Sequence, residues 1–426
     1  MSARRVAIID GCRTPFQRAG TGFGGAMSYQ LAEATIRGLL GRNTVAPASI
    51  DRVVFGAIVP NARTTNVARE AALDAGLPPT IPSMTVTAAG ASATVAVTTA
   101  ADWITTGRAD VVIAGGTDCI SDVPIGYSPA MRRKLFAARR LRSLGDRLRF
   151  VLSLRPWDFL PDVPAIEERS TGDSMGSYTE RLAGRLGIDR ESQDAYAARS
   201  HRRATRHRDR LREEIVPASI DGTVVDDDNG IRADTTVEAL ARLRPTFTRD
   251  GTLTAGNSSY LTDGASALLL ADEARARAEG WPIRAILGKS VLTAHELRDE
   301  LLLGPVFALP RLLDATGLGL DDLDVIELHE AFAAQILGVL HLLADDTFAR
   351  QHLDREQAIG AIDPEILNVW GGSLAIGNPF APNGARLLTT AIHRLHAEDG
   401  RLAAVATCAG GGLGHALLVE RGPDAY

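Results

Sequence analysis

Two glycine-rich segments of the 426-residue chain place groups that can act on a carbonyl at the ends of predicted strands. Residues 85–93 predict a strand that runs into the N-terminus of an apolar helix, with Gly90 at the junction. Unpaired N–H groups at a helix N-terminus favour a negatively charged oxygen. Cys408 and the glycines that begin at Gly410 end a second predicted strand and offer a thiol beside a flexible backbone. We therefore expect a site that holds an oxyanion and moves a proton.

Neither a metal site nor a nucleotide site is expected from the polar residues. His329 precedes Glu330 as in a zinc-binding helix, but Ala333 stands where the second histidine ligand would be. The glycines of residues 410–414 resemble a dinucleotide-binding fingerprint, yet they lie close to the chain end with no βαβ unit after them. The other thiols lack chemical partners in the sequence and are predicted to be core residues: Cys12 and Cys119.

The two glycine-rich segments belong to two similar orders of predicted elements. The first order is a strand from residue 85, a loop, a helix over about residues 94–106 and a strand at 111–113. The second is a strand that ends near Val369, the loop 371–384, a helix over about 385–396 and a strand at 403–407. This repetition indicates an internally duplicated α/β fold with helices on both faces of a sheet.

Length and composition limit the class of protein. The chain is long enough for two or three structural lobes, and its 45% hydrophobic and 23% charged residues are typical of soluble globular proteins. The net charge of −6 argues against a nucleic-acid partner. Three cysteines do not make a disulfide framework. The sequence shows no signal peptide and no apolar stretch of about 18 residues, so we expect a cytoplasmic protein.

The duplicated pattern is interrupted in the middle of the chain. Residues 1–125 with 246–275 are predicted to form the N-terminal half, residues 276–426 the C-terminal half, and residues 126–245 an inserted lobe. In this lobe the segment from Arg132 to Trp157 alternates leucine and aromatic residues with arginines. It is either a solvated arginine face on packed helices or a surface that meets an anionic membrane or a partner subunit. Both alternatives stay open.

Five ordered motifs resemble those of the thiolases, and the resemblance covers essentially the whole chain. They are Arg13-Thr-Pro-Phe16, Thr254-Ala-Gly-Asn257-Ser258-Ser259-Tyr-Leu-Thr-Asp263-Gly264, Leu328-His329-Glu330-Ala331-Phe332, Gly371-Gly372-Ser373-Leu-Ala-Ile-Gly377-Asn378-Pro379 and Cys408-Ala409-Gly410-Gly411-Gly412. The closest resemblance is to the β-subunit-type 3-ketoacyl-CoA thiolases of fatty-acid oxidation complexes. It implies the α/β thiolase fold: two duplicated βαβαβαββ halves in five layers, α-β-α-β-α, with an inserted loop domain that covers coenzyme A.

Two residues depart from the family's catalytic pattern. Gly90 stands where the family has its nucleophilic cysteine, and Asn378 stands where it has the histidine that activates this cysteine. Glycine has no side chain that can form an acyl-enzyme. Asparagine cannot act as a base but can donate a hydrogen bond. The usual covalent chemistry is therefore not expected.

The resemblance implies roles for residues that the chain retains. Cys408 corresponds to the cysteine that moves a proton at the substrate α-carbon, and His329 to the residue that helps to hold the thioester oxygen. These two can form an acid/base pair. The backbone N–H groups of Gly90 and Gly410 are predicted to form an oxyanion hole. Contacts with the coenzyme A thioester, which is a substrate and not a permanently bound cofactor, are implied for Ser259, Met175 and Phe332.

Two functions fit these residues. The first is an acyltransferase or condensing enzyme that acts on a coenzyme A or carrier-protein thioester without a catalytic cysteine, by direct attack of an external nucleophile. The alternative is a catalytically silent, thiolase-like acyl-CoA-binding or scaffold subunit. Ser92 is not favoured as a substitute nucleophile, because it lies two residues past Gly90 on a helical turn that points elsewhere. The resemblance implies a homodimer, with a larger complex as a further expectation.

Overall fold

The computed structural model describes residues 4–162, 164 and 167–426. The strands are β1 Val6–Arg13, β2 Gln17–Arg18, β3 Arg52–Gly56, β4 Ser83–Val86, β5 Val111–Asp118, β6 Gly126–Tyr127, β7 Pro161–Asp162, β8 Glu167–Glu168, β9 Asp173–Ser174, β10 Ala218–Ile220, β11 Thr223–Val225, β12 Thr262–Asp272, β13 Ala285–Ala294, β14 Val325–Leu328, β15 Leu402–Ala409 and β16 Leu413–Arg421. The helices are α1 Ser28–Arg42, α2 Val67–Asp74, α3 Ser92–Thr105, α4 Pro129–Ala138, α5 Leu144–Ser153, α6 Met175–Leu186, α7 Arg190–Arg206, α8 Arg208–Glu213, α9 Val237–Ala241, α10 Glu273–Glu279, α11 Leu297–Glu300, α12 Gly304–Thr316, α13 Ala333–Leu343, α14 Asp346–His352, α15 Ser373–Ile376 and α16 Asn383–Ala397.

The long strands form a mixed sheet in the order β14-β15-β16-β13-β1-β12-β5-β3-β4. In the N-terminal half β3 runs parallel to β4 and β5, and β12 lies antiparallel between β1 and β5. In the C-terminal half β14 is parallel to β15, and β15, β16 and β13 are antiparallel neighbours. The halves join through the short pairing of β1 with β13, from Val6 opposite Leu287 to Ile8 opposite Ala285.

Alternating burial along the strands produces the layers. In β1, Ala7 belongs to the buried cluster that includes α1 and α2, whereas Ile8 belongs to the cluster that includes α3 and α16. In β15, Val405 belongs to the same buried cluster as residues of α16, and Ala404 belongs to the cluster that includes α12. Because side chains alternate between the faces of a strand, α3 and α16 lie between the two halves of the sheet. The result is the predicted order of layers, α-β-α-β-α.

One predicted element is wrong. No strand that ends near Val369 is found in the described residues, where this segment makes only an isolated bridge between Ile326 and Leu367. Asn368 adopts a positive φ of 46°, and its side-chain amide accepts from the N–H of Leu328 at 2.8 Å and donates to the carbonyl of Leu328 at 2.9 Å. The backbone of Ile326 in β14 bonds to Ile366 and Asn368 at 2.9 and 3.0 Å. Beyond this bridge, the side chain of Asn368 makes the hydrogen bonds with Leu328 that a longer strand would make.

The middle of the chain lies outside the sheet. Helices α4 to α9 and short two-stranded pairs, such as β6 with β7 and β10 with β11, occupy this region. The chain then returns to the N-terminal half as β12. The limits at residues 126 and 245 stay a prediction. No helix of the described chain combines the length and apolar character that crossing a membrane requires.

Candidate active site

The predicted site residues surround one cavity of about 360 Å³, which we call the front cavity. It lies between loops that follow the strands of both halves and the start of α6. Apolar side chains such as Leu302 and Phe247 complete its walls. All the predicted site residues line it: Gly90, Met175, Ser259, His329, Phe332, Asn378, Cys408 and Gly410. Residues that are distant in the sequence thus meet at one place, and their individual roles stay predictions.

Two glycine loops present backbone N–H groups to this cavity. Ala89 has a φ of 46°, and this left-handed turn leads from β4 into α3, which begins at Ser92 without a side-chain cap. The N–H groups of Gly90 and Gly410 donate no hydrogen bond to another described residue. In contrast, Gly411 donates its N–H to Glu168 at 2.8 Å, which ties the second loop to β8. Both N–H groups are therefore unpaired among the described residues, and Gly90 lies at the N-terminus of α3, where the helix dipole favours negative charge.

Gly90 is packed so closely that a side chain does not fit. A Cβ atom at this position would lie 2.7 Å from the carbonyl oxygen of Cys408 and 3.6 Å from the Cα atom of Ala409. Both contacts are with backbone atoms at the end of β15. A larger residue would therefore have to displace the loop that carries Gly410.

Ser92 is excluded as a nucleophile by its environment. The side chain is fully buried, and it does not line the front cavity. Its hydroxyl accepts from the N–H of Ala88 at 2.8 Å and donates to the carbonyl of Ala89 at 2.6 Å. Ser92 therefore stabilises the turn before α3 and has no free proton or access for acyl transfer.

His329 lies at the cavity with only its Nε2 edge available to a ligand. The residue follows β14 and is 3% exposed. Its Nδ1 lies 3.0 Å from the Ser373 hydroxyl oxygen. That oxygen accepts a hydrogen bond from Nη2 of Arg386 at 3.1 Å. Burial, together with the nearby Arg386 cation, lowers the pKa of His329 to about 3. His329 is therefore a neutral imidazole at physiological pH, and half of the predicted acid/base pair is a poor base.

Asn378 is held in one orientation by its neighbours. Its Oδ1 accepts from the backbone N–H of Phe380 at 3.1 Å and from Nδ2 of Asn383 at 2.6 Å. Because a backbone N–H can only donate, Oδ1 must face it, and Nδ2 faces Ser259 at 3.0 Å. The Ser259 hydroxyl donates in turn to the carbonyl of Ala331 at 2.7 Å. One amide hydrogen of Asn378 thus bonds to Ser259, and the other has no hydrogen-bond partner among the described residues.

Cys408 supplies the thiol of the front cavity. It ends β15 and is 2% exposed, and burial raises its pKa to about 12. It is therefore a neutral thiol that can donate a proton but is rarely a thiolate. Cys12 and Cys119 are buried away from the cavity, as predicted for core residues.

A second cavity of about 610 Å³, the rear cavity, meets the front cavity at Gly90 and Gly410. Met175 and Phe380 also line both cavities. Phe380 has a φ of 63°, which is unusual for a bulky residue and places its side chain at the junction. The rear cavity is mostly apolar, with walls that include Ile58, Val59, Pro60, Ile120, Val123 and Pro124.

Sequence reasoning missed the rear cavity and the support of His329. Ser373 stands in a recognised motif, but nothing in its spacing shows which side chain it contacts. Arg386 reads as a surface arginine of a helix, yet it is completely buried. Nothing in the sequence around Arg386 distinguishes it from an exposed arginine of a helix.

The fold and the site define the class of this protein. The thiolase N-terminal domain family matches residues 6–274, and the thiolase C-terminal domain family matches residues 282–421. The chain therefore belongs to the thiolase family of acyltransferases. This membership confirms the resemblance and the predicted fold class.

Individual relatives place the chain more narrowly. It is 42% identical over 424 residues to the human trifunctional enzyme subunit beta, mitochondrial. The aligned residues cover 99% of this chain and 89% of the relative. It is 41% identical over 421 residues to a 3-ketoacyl-CoA thiolase of Yersinia pestis, with 98% and 97% covered. A crystal structure of human mitochondrial 3-ketoacyl-CoA thiolase in complex with CoA superposes with a TM-score of 0.83 at 27% identity, over 99% of this chain and 98% of that one. The predicted closeness to β-subunit-type thiolases is confirmed.

Proposed function

We propose that this protein transfers an acyl group from a coenzyme A or carrier-protein thioester directly to an acceptor, without an acyl-enzyme. The observation that carries the proposal is Gly90. It has no side chain and no room for one, yet its N–H and that of Gly410 stay free at the cavity. Family membership and the coenzyme A complex of the human relative support the thioester as substrate.

The reaction needs the carbonyl oxygen between the two backbone donors. The lone pair of the acceptor attacks the carbonyl carbon, and the C=O π electrons move to the oxygen held by Gly90 and Gly410. Each such donor contributes roughly 3–4 kcal/mol in other acyl-transfer enzymes. When the carbonyl forms again, the C–S bond breaks. The Cys408 thiol protonates the leaving thiolate and takes up the proton that the acceptor loses.

His329 acts in this proposal as a hydrogen-bond donor rather than as a base. Its ring is neutral and lines the front cavity, and because Nδ1 lies against Ser373, Nε2 is the nitrogen left for a second contact with the thioester oxygen. The free amide hydrogen of Asn378 is a further donor in the same cavity. The protein therefore polarises the substrate strongly while supplying little general-base catalysis.

We further propose that the acyl chain occupies the rear cavity. A carbonyl held at Gly90 and Gly410 lies where both cavities meet, so the pantetheine arm and the acyl chain can leave it in different directions. The arm passes Ser259, Met175 and Phe332 in the front cavity. Apolar walls suit an alkyl chain, because its burial is favourable by about 0.8 kcal/mol for each CH₂ group.

Mass spectrometry of the intact protein tests the direct transfer. After incubation with acetoacetyl-CoA or octanoyl-CoA, we expect the unmodified mass, together with acylated product when a suitable amine, thiol or carbon acid is present. A stable acyl adduct on Cys408 or Ser92 would overturn the mechanism. A broad screen of acceptors without any product would favour the second candidate.

The second candidate is a silent acyl-CoA-binding subunit. His329 and Cys408 are the titratable groups among the described residues of the front cavity, and their pKa values of about 3 and about 12 leave neither as a base near pH 7. This observation favours binding without turnover. Calorimetry with acyl-CoA, combined with the same acceptor screen, separates a protein that binds only from one that also transfers.

The inserted lobe carries a surface that we propose as a contact with an anionic membrane or a partner subunit. On α5 the side chains of Leu144, Leu148 and Leu152 are 88%, 62% and 76% exposed, and α5 buries none of its residues. Arginines precede this stripe in the segment between α4 and α5 and alternate with it in the sequence of α5. Exposed leucines beside arginines are typical of helices that lie at an interface. The relatives named as a subunit support a larger complex as the setting of such a contact.

Charge reversal tests this surface. Replacement of Arg139, Arg140 and Arg142 by glutamate should leave calorimetric binding of coenzyme A unchanged, because these residues do not line either cavity. Flotation with vesicles that contain anionic lipid should decrease, and increasing salt should weaken it in the same way. If the native protein does not float with the vesicles, the membrane contact is contradicted. If it also captures no partner protein, the surface is a solvated arginine face.

A further inference from the structure

The Ser373 hydroxyl joins two buried groups of different chemistry. It lies at the start of α15 and is fully buried. Arg386 on α16, also fully buried, approaches with Nη2 at 3.1 Å, and Nδ1 of His329 lies at 3.0 Å. No other side-chain contact of this hydroxyl is found among the described residues.

The chemistry of the arginine decides the direction of both hydrogen bonds. A guanidinium can only donate, so the Ser373 oxygen accepts from Arg386. The hydroxyl has one hydrogen, and Nδ1 of His329 is the acceptor within reach. If Nδ1 carried a proton, the serine hydrogen would have no acceptor in this buried place, at an energetic cost of roughly 1–3 kcal/mol. The unprotonated Nδ1 is therefore the favoured state.

We propose that Ser373, oriented by Arg386, is a positioning residue that fixes His329 as the Nε2–H tautomer, so that this histidine donates to the oxygen of a bound thioester. The tautomer follows from the buried contacts alone, and its action on the thioester rests on the proposed function. A second positive charge beside Arg386 is unfavourable, which agrees with the lowered pKa of His329.

Arg386 lies in this core with few directed contacts. Its Nε and Nη1 atoms have no hydrogen-bond partner in the described structure, so Nη2 makes the one directed contact. Its charge is balanced at longer range by Glu327, Glu214 and Glu330. Arg386 thus orients Ser373 without direct contact to a ligand in the front cavity.

Nitrogen NMR of protein labelled with ¹⁵N-histidine tests the tautomer without any turnover. The chain has nine histidines, and the loss of one set of signals in His329→Gln assigns the residue. In the native protein we expect Nδ1 of His329 to show the shift of an unprotonated ring nitrogen and Nε2 that of a protonated one. The opposite pattern would overturn the proposal.

Variants of Ser373 show whether the hydroxyl causes this pattern. Ser373→Ala should move the signals of His329 towards a mixture of tautomers, and Ser373→Thr should restore the native pattern. Ser92→Ala is the matched control, because it removes an equally buried hydroxyl that contacts only backbone atoms. Native signals in Ser373→Ala would contradict the positioning role. If Ser373→Ala does not fold, Ser373→Cys and Arg386→Lys provide the same comparison.

Ligand binding tests the functional part separately. Hexanoyl-CoA has the thioester oxygen, and the thioether S-hexyl-CoA lacks it. Ser373→Ala should weaken hexanoyl-CoA binding by about tenfold, the loss expected for one hydrogen bond, and leave S-hexyl-CoA unchanged. Equal losses for both ligands would show a merely structural role. If the native protein bound neither ligand, the proposed function would fail while the NMR result would still decide the tautomer.

Discussion

Two kinds of hydrogen-bond donor line the front cavity, and the fold positions them in different ways. The loops at Gly90 and Gly410 offer backbone N–H groups, which depend on the path of the chain and not on a side chain. His329 and Asn378 offer side-chain donors. The buried Ser373 contacts His329, and the N–H of Phe380 together with Asn383 orients Asn378. In the proposed function, this difference lets the site bind an oxyanion although Gly90 and Asn378 stand in place of a nucleophile and its activating base.

Gly90→Ala should have the largest effect, because the added methyl group displaces the loops that carry the two backbone N–H donors. The added Cβ would lie 2.7 Å from the carbonyl oxygen of Cys408 and would shift the loop of Gly410. We expect acyl transfer, measured with the best acceptor of the screen, to decrease by about two to three orders of magnitude. Gly184→Ala on α6 is the control, since a Cβ there meets open space. A native rate in Gly90→Ala would show that these N–H groups do not hold the substrate.

The same contact predicts the outcome of Gly90→Cys combined with Asn378→His, which would re-create the family's reactive pair. The cysteine Cβ would meet the same carbonyl oxygen. We therefore expect no thiolysis of acetoacetyl-CoA above background. Clear thiolysis would show that the end of β15 moves to make room for the cysteine. The backbone donors would then not depend on a fixed path of the chain, in contrast to the comparison above.

Asn378→Ala should have the next largest effect, because it removes a side-chain donor from the front cavity. It removes one donor of the cavity and also the hydrogen bond that fixes Ser259. In a direct-transfer enzyme we expect a decrease in rate of about a hundredfold. Ser259→Ala, which removes only the partner, should lose less. An Asn378→Ala variant that matches the native protein in every assay would indicate a silent binding subunit.

Cys408 gives a prediction that depends on pH. With a pKa of about 12, only about one thiol in ten thousand is a thiolate at pH 8. Because only the thiolate reacts, the rate of alkylation increases with pH until the pH reaches the pKa of the thiol. In the folded protein we expect slow alkylation by iodoacetamide at pH 7 and a gradual increase up to pH 10. Denatured protein should react at all three cysteines and serves as the control, and rapid reaction of native Cys408 at pH 7 would contradict its burial.

Ser92→Ala should have the smallest effect. Both hydrogen bonds of this hydroxyl are local to the turn before α3. We expect the free energy of unfolding in urea to fall by about 1 kcal/mol, while acyl transfer stays at the native level. A large loss of transfer with unchanged stability would restore Ser92 as a candidate nucleophile.

Motif order predicted the fold and the meeting of the site residues well. The repeated strand, glycine loop and helix indicated the duplicated halves, and residues at the ends of predicted strands, such as Gly90 and Cys408, line the same cavity. These features depend on local periodicity and on strand polarity, which a sequence shows directly.

Burial and partner choice could not be predicted in this way. The predicted strand near Val369 is wrong because pairing with β14 stops after one bridge, where the side chain of Asn368 bonds to Leu328 in place of the backbone. The acid/base pair of His329 and Cys408 looked plausible from residue types, but desolvation moves both pKa values away from neutrality. Which hydroxyl faces an imidazole, and whether an arginine such as Arg386 is buried, depends on contacts between distant segments.

The position of β12 has a consequence for how the chain folds. This strand, Thr262–Asp272, lies between β1 and β5, although β5 ends at Asp118. During synthesis the N-terminal sheet therefore stays incomplete until the whole inserted lobe has left the ribosome. Contacts of such long sequence separation slow folding and leave strand edges exposed. We expect the unpaired edges of β1 and β5 to be the region of a nascent chain that most needs protection by chaperones.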